Sequence, residues 1–270
     1  MGGTEYRRRS YRERMGSRFA SFAVSFKESD LWIGVDPLSY SSRMEDFVVS
    51  RARRYRLELE SYIEIRPEFL SSLVPIAPDP GAPRIVATML AASRAAGVGP
   101  MASVAGATAA FVGADLEAEF GCREIVVENG GDLWLRFEDR MDLSVFAGDS
   151  PLSERVGVSI PPVFSPLGVC TSSGTVGPSL SLGRADAAMV AARDAASSDA
   201  ARLGGDGPVS AALADAWATR VGNAVVDPSD IEAALALAEG REGIVSVLVI
   251  KGDRMGIRGA LPLRLFEPGG

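Results

Sequence analysis

Asp215, Thr219 and Asn223 stand at i, i+4 and i+8 in the run from Ala212 to Asn223. On a helix that spacing points all three the same way. Their neighbours are Ala, Leu, Trp and Val, so a carboxylate there is costly unless something offsets its charge. A magnesium ion would do so, because it takes one or two protein oxygens and completes its shell with water and phosphate oxygens. A polar helix stripe with Asp215 paired to Arg220 would do so equally.

Three other segments have the chemistry of a phosphate-bearing ligand. Gly168 to Gly183 carries six hydroxyl side chains and no charge. Glycines in such a stretch let the backbone turn and present successive N–H groups to an anion, although an ordinary polar surface loop has the same composition. Thr171, Ser172, Ser173, Gly174 and Thr175 are its candidate phosphate contacts. Cys170 beside them reads as a small core residue rather than a nucleophile. Gly97-Val-Gly99-Pro-Met101-Ala102 leads into a helix rich in small residues, which suits either an anion at a helix N-terminus or close helix packing. Glu128-Asn129-Gly130-Gly131-Asp132 is first a hairpin turn, and its amide and carboxylates could also meet a ribose or ring edge.

The chain has no histidine. That excludes a Ser-His-Asp or Cys-His arrangement, an imidazole base near neutrality, and imidazole-ligated zinc or haem. Chemistry falls to carboxylates, hydroxyls, backbone groups, Lys and Arg, a thiol or a bound cofactor.

The 270 residues suffice to bury a sizeable core. Residues 1–15 read as a polar basic arm and 16–270 as one domain. Net charge is −7, divided between a basic start (12 Lys and Arg against 7 acids in residues 1–57) and an acidic remainder. No aromatic-interleaved motif follows the arginines, so nucleic acid is not the expected partner. No stretch approaches the roughly 20 apolar residues of a membrane helix, no apolar leader stands at the start, and Cys122 and Cys170 read as free thiols. A cytoplasmic protein away from membranes is expected.

The elements that position the candidate residues follow from periodicity. Strands are expected at 18–26, 31–35, 124–128, 132–137, 141–146, 156–160, 185–191, 244–250 and 261–266. Helices are expected at 41–65, 84–96, 101–120 and 208–226, with another starting at Asp227-Pro-Ser-Asp230. Strands come in hairpin runs and helices in pairs, which predicts an α+β fold with a mainly antiparallel sheet. The recurrence of strand pair, helix pair, strand pair hints at a duplicated unit without a sequence repeat.

Four segments occurring in order resemble a known family: Gly97 to Ala102 with Val104-Ala-Gly106; Val127 to Asp132; Val169 to Gly177 with Ser179-Leu-Ser181; and Ala214-Asp-Ala-Trp-Ala-Thr219 with Gly222-Asn223. Arg12 and Pro67-Glu-Phe69 fit as well. The chain resembles, over nearly its whole length, an uncharacterised prokaryotic group related to ApbE, the FAD:protein FMN transferases. That resemblance implies a T-fold-like α+β architecture, FAD or FMN as cofactor, and Mg²⁺. It implies transfer of the FMN half of FAD to a hydroxyl of an acceptor protein, or a protein that keeps the fold and binds ligand without the reaction. Carried over by motif, Asp215, Thr219 and the carbonyl of Ala102 look like the metal ligands. Gly99, Met101, Asn129, Gly130, Gly131, Asp132 and Thr171 to Thr175 look like cofactor contacts. The expected partners are a small-molecule nucleotide and an acceptor protein, with a homo-oligomer left open. The chain departs from the group in having Pro178 where a histidine usually precedes Ser-Leu-Ser.

Overall fold

The alternating residues of the first segment form β1 (Ala20–Phe26), which pairs antiparallel with β2 (Ser29–Val35) from Ala20 opposite Val35 to Phe26 opposite Ser29. The computed structural model describes residues 18–27, 29–176, 181–194 and 208–267. The basic arm with Arg12, and Gly177, Pro178 and Ser179, lie outside the described residues. α1 (Arg43–Ile65) buries Met44, Val48, Ala52, Tyr55, Leu59 and Tyr62. Their three- and four-residue steps make one stripe against the core. α2 (Glu68–Ser71), α3 (Arg84–Ala96), a 3-10 turn at Pro100–Ser103 and α4 (Val104–Phe120) follow. β3 (Ile125–Asn129) and β4 (Asp132–Arg136) are joined by Gly130 and Gly131, with φ of 69° and 110°. Asn129 stands opposite Asp132, so the connection is the two-residue hairpin that such φ values permit.

β5 (Met141–Ser144), β6 (Val156–Ile160), β7 (Leu167–Ser172) and β8 (Ala187–Ala192) come next. After them come α5 (Ser210–Asn223), α6 (Ile231–Ala238), β9 (Ile244–Lys251), β10 (Arg254–Gly259) and β11 (Leu263–Leu265). The main sheet has the order β1-β2-β3-β4-β7-β8-β9-β10, every neighbouring pair antiparallel. β11-β6-β5 form a small second sheet. The fold is thus the α+β, antiparallel arrangement expected, and its topology repeats: β1 and β2, helices, β3 and β4; then β7 and β8, helices, β9 and β10.

Side chains alternate across the main sheet. Cys170 and Val190 join the core beneath the helices, whereas Val169 and Met189 join the core beneath the small sheet. The molecule therefore has three layers. Among the described residues no single helix is long and apolar enough to cross a membrane. α3 and the 100–120 stretch pass that test only as a pair bent by 103°, and their apolar residues belong to the core.

Two expectations need correction, and two features of the sheets were not foreseen. Leu167–Ser172, expected to begin a loop, is a strand inside the main sheet. Its glycine serves packing: a Cβ on Gly168 would lie 2.3 Å from the Cα of Ala211 on α5. The expected helix from Met101 begins at Val104, after the 3-10 turn. β10 was not expected, because Gly256 and Gly259 interrupt its alternation, yet it pairs with β9 along its whole length. The terminal strand, expected at 261–266, spans Leu263–Leu265 and joins β6 in the small sheet.

Candidate functional site

The ends of β1, β3, β7 and β9 and the starts of β2, β4, β8 and β10 lie at one end of the main sheet, because the antiparallel register puts Asp132, Ser172, Ala187 and Lys251 there together. α4 starts at the same end: Asn129 Nδ2 donates to the Ala105 carbonyl oxygen at 3.2 Å. α5 lies across the strands within backbone contact. Besides Gly168, Gly106 makes this approach possible, since a Cβ there would sit 2.2 Å from the Ala211 carbonyl oxygen.

This approach brings Asp215 of α5 to the first turn of α4. Its Oδ2 accepts from Gly106 N–H at 3.0 Å. Ser103, at the capping position, instead donates its hydroxyl to the Pro100 carbonyl oxygen at 2.9 Å. A carboxylate from another helix thus takes the place of the missing cap, where the helix dipole favours negative charge. Asp132 opens β4 beside it, and its Oδ1 accepts from Thr171 N–H at 3.2 Å. Cys170 Sγ lies 3.3 Å from the Ala211 carbonyl oxygen, between the two aspartates electrostatically. Glu128, fully buried, holds the turn through Gly131 N–H at 2.8 Å.

Asp132 and Asp215 are each 9% exposed. Burial raises the Asp215 carboxyl well above the ordinary range, and the Asp132 charge raises it further, against the lowering by N–H groups of Gly106 and Ala105. Burial likewise pushes Asp132 up to about 7, opposed by the Cys170 thiol and Thr171 N–H and assisted by Glu128. The Cys170 thiol is raised by burial and then by both aspartates. Neither Asp132 nor Asp215 has an ion-pair partner among the described residues. Two buried acids therefore act on each other with no cation among the described residues to offset them.

The remaining expected residues spread around this pair. Thr219 is half-buried one helical turn beyond Asp215, and Met101 and Ala102 are half-buried in the 3-10 turn. Gly99 is buried, with the Ser72 carbonyl oxygen where a Cβ would be. Thr171, Ser172 and Ser173 are half-buried at the end of β7, whereas Gly130, Gly174 and Thr175 are exposed. Ser172 faces the C-terminal turn of α5, its Oγ 3.4 Å from a Cβ position on Gly222. Thr175 turns the other way: its Oγ1 is 3.4 Å from Asp186 Oδ1. Asp186 was not singled out from sequence. It accepts from Lys251 Nζ at 3.1 Å and from Gly252 N–H at 2.6 Å. A lone acid at the mouth of an alanine-rich strand was its only sequence signal.

Among the described residues no group of three or more His, Cys, Asp or Glu is arranged to hold a metal ion. Mg²⁺ does not require one, since a carboxylate or two suffices when water and phosphate supply the rest. Asp215, Thr219 and the Ala102 carbonyl carry oxygens of the kind that ion takes, and the Asp215 carboxylate has no cation partner among the described residues.

The chain as a whole is similar to known proteins. A family model described as "AbpE bacteria" matches residues 12–202. The UPF0280 protein of Methanococcus aeolicus is 40% identical over 243 residues, covering 88% of this chain and 90% of its own length. That of Methanocaldococcus jannaschii is 36% identical over 244 residues, with the same coverage of 88% and 90%. Among solved structures, the apo flavinyl transferase ApbE of Pseudomonas stutzeri aligns with a TM-score of 0.50 at 14% identity, over 89% of this chain and 93% of that one. The last likeness is one of fold.

Proposed function

This chain belongs to the uncharacterised UPF0280 family of ApbE-related proteins, and we propose that it binds a flavin nucleotide or a related pyrophosphate-bearing nucleotide together with Mg²⁺ at the β3–β4 end of the main sheet. The observation that carries this reading is the buried Asp132–Asp215 pair, which no described cation neutralises. Asp215, Thr219 and the Ala102 carbonyl would hold the cation, which when bound would neutralise phosphate charge. Asp132 and Asn129 stand at the turn toward the nucleotide's ring or ribose, with Gly130 and Gly131 leaving that side free of side chains. Met101 lies next to Ala102, and the hydroxyls of Thr171, Ser172 and Ser173 line the end of β7 for the phosphates. Asp215 keeps the start of α4 in place through Gly106 N–H, so the anion-favouring helix end and the cation share one anchor.

Transfer of the nucleotide to a hydroxyl would require the attacking oxygen to lose its proton as the pyrophosphate bond breaks. A positioned base typically contributes about 10²–10⁴-fold to such a step. The chain has no histidine to provide one, and that absence favours a second reading, ligand binding without turnover. Calorimetric titration of FAD, FMN, ADP and AMP, with and without Mg²⁺, tests the binding reading. The expected result is Mg²⁺-dependent binding of at least one of them, weakened by Asp215→Asn. If none binds at millimolar concentration, or if Asp215→Asn leaves Mg²⁺-dependent affinity unchanged, the reading is wrong. Mass spectrometry of a hydroxyl-bearing peptide incubated with FAD and the protein separates transfer from binding alone.

A further inference from the structure

Four interior side-chain atoms have no hydrogen-bond partner among the described residues: Arg51 Nε, Trp134 Nε1, Arg136 Nε and Ser210 Oγ. The two arginines still meet acids through ion pairs, Arg51 with Asp115 and Arg136 with Glu117. Trp134 and Ser210 have no such outlet, and they are the more deeply covered, at 2% and 0% exposure. A buried donor or acceptor left unmatched is costly, so folded interiors supply a partner from the protein or from an ordered water.

These two residues meet at one place in the fold. Trp134 on β4 and Gly168 on β7 are cross-strand neighbours, and Trp134 belongs to the core beneath the helices. The helix-facing side of Gly168 is occupied by the start of α5: a Cβ there would lie 2.4 Å from Ala211 N and 2.5 Å from the carbonyl carbon of Ser210. The first turn of α5 therefore stands directly beside the indole. On the α4 side, Trp134 Cε3 and Cζ3 lie 2.1 Å and 2.5 Å from a Cβ position on Gly113, and Nε1 is across the ring system from those carbons. Asp194 already caps α5, its Oδ1 accepting from Val209 and Ser210 N–H at 2.8 Å and 2.6 Å. The Ser210 hydroxyl is thus left over from capping. An indole N–H only donates, whereas a hydroxyl donates and accepts. A water can satisfy both, because it accepts from the first and bonds the second in either direction.

We propose that one ordered water is bound between β4 and the start of α5, accepting from Trp134 Nε1–H and hydrogen-bonded to Ser210 Oγ. It joins a strand of the first topological repeat to a helix of the second, and it does not depend on the nucleotide reading. A high-resolution crystal structure of the full chain, with Ser210→Ala alongside, is the test. The expected result is a well-ordered water peak within hydrogen-bond distance of both atoms in the wild type, weakened or lost in Ser210→Ala. Trp134 Nε1 donating straight to Ser210 Oγ, no peak between them, or an unchanged peak in Ser210→Ala overturns the proposal. Solution NMR gives a second readout. The chain has three tryptophans, so Trp134→Phe identifies the Trp134 indole N–H signal, or Trp32→Phe and Trp217→Phe do so by elimination should that variant fail to fold. That signal should show a cross-relaxation peak to a long-lived water, and its shift should move in Ser210→Ala. An indole N–H without a water contact overturns the site.

Discussion

Asp186 and Asp215 are equally buried, at 9% exposure each, and both sit at the same end of the main sheet, yet their surroundings are opposite in sign. Asp186 is met by the Lys251 ammonium and by Gly252 N–H. Asp215 is met by backbone N–H groups and by a second carboxylate, Asp132. The first arrangement is complete as it stands and ties the β9–β10 turn to the mouth of β8. The second is electrostatically unfinished, and stays so unless a proton or a metal cation is added. The difference separates a carboxylate that holds the fold from one that, on the proposed reading, is kept for a ligand.

The contrast can be broken most sharply at Lys251. Lys251→Met leaves Asp186 as a buried charge with only N–H and hydroxyl partners, and should destabilise the protein by about 3 kcal/mol in urea unfolding. A loss within experimental error would show Asp186 to be as unfinished as Asp215. The next test is pH. The Asp132 carboxyl has a folded-state pKa raised to about 7, above its unfolded value of roughly 3.9. A group shifted in this direction binds its proton more tightly in the folded state. Its contribution is full below the unfolded pKa and falls away as pH climbs to the folded one. The metal-free protein should therefore lose about 2 kcal/mol between about pH 5.5 and about pH 8, and Mg²⁺ should restore more stability at the upper end. Stability that rises over that interval would contradict the unpaired reading.

The smallest effect is expected from Asp215→Asn in metal-free protein. The amide oxygen still accepts from Gly106 N–H, and the repulsion with Asp132 disappears. Thermal unfolding near neutral pH should show a gain of about 1 kcal/mol, opposite in sign to the Lys251 variant. A loss comparable to that of Lys251→Met would mean that the Asp215 charge holds the fold as Asp186 does.

The readable parts of this site were those coded locally. Asp215 and Thr219 are one helical turn apart, so their common side follows from spacing alone, and Asn129 to Asp132 carry their hairpin in two adjacent glycines. What escaped was coded at a distance. Gly168 looked like a loop residue because the helix that requires it, through Ala211, lies more than forty residues on. The Asp186–Lys251 pair spans 65 positions, and each member is a single charge at a strand end with nothing local to mark it. Cys170 was read as a core residue, and the structure buries it, but only tertiary contact put it between two aspartates.

The strand pair β4–β7 is where the two topological halves of the molecule meet, and it is a short junction: Leu133 with Val169, Trp134 with Gly168, Leu135 with Leu167. The candidate site straddles it. Asp132 and Gly106 come from the first half, Thr171 and Asp215 from the second. Neither half possesses the constellation by itself, so it exists only after the seam has closed. A ligand that binds there favours the closed state by mass action, in proportion to the logarithm of its concentration over its dissociation constant. The nucleotide would then act as a rivet between the halves, and occupancy of the site would double as a report on whether the chain is whole.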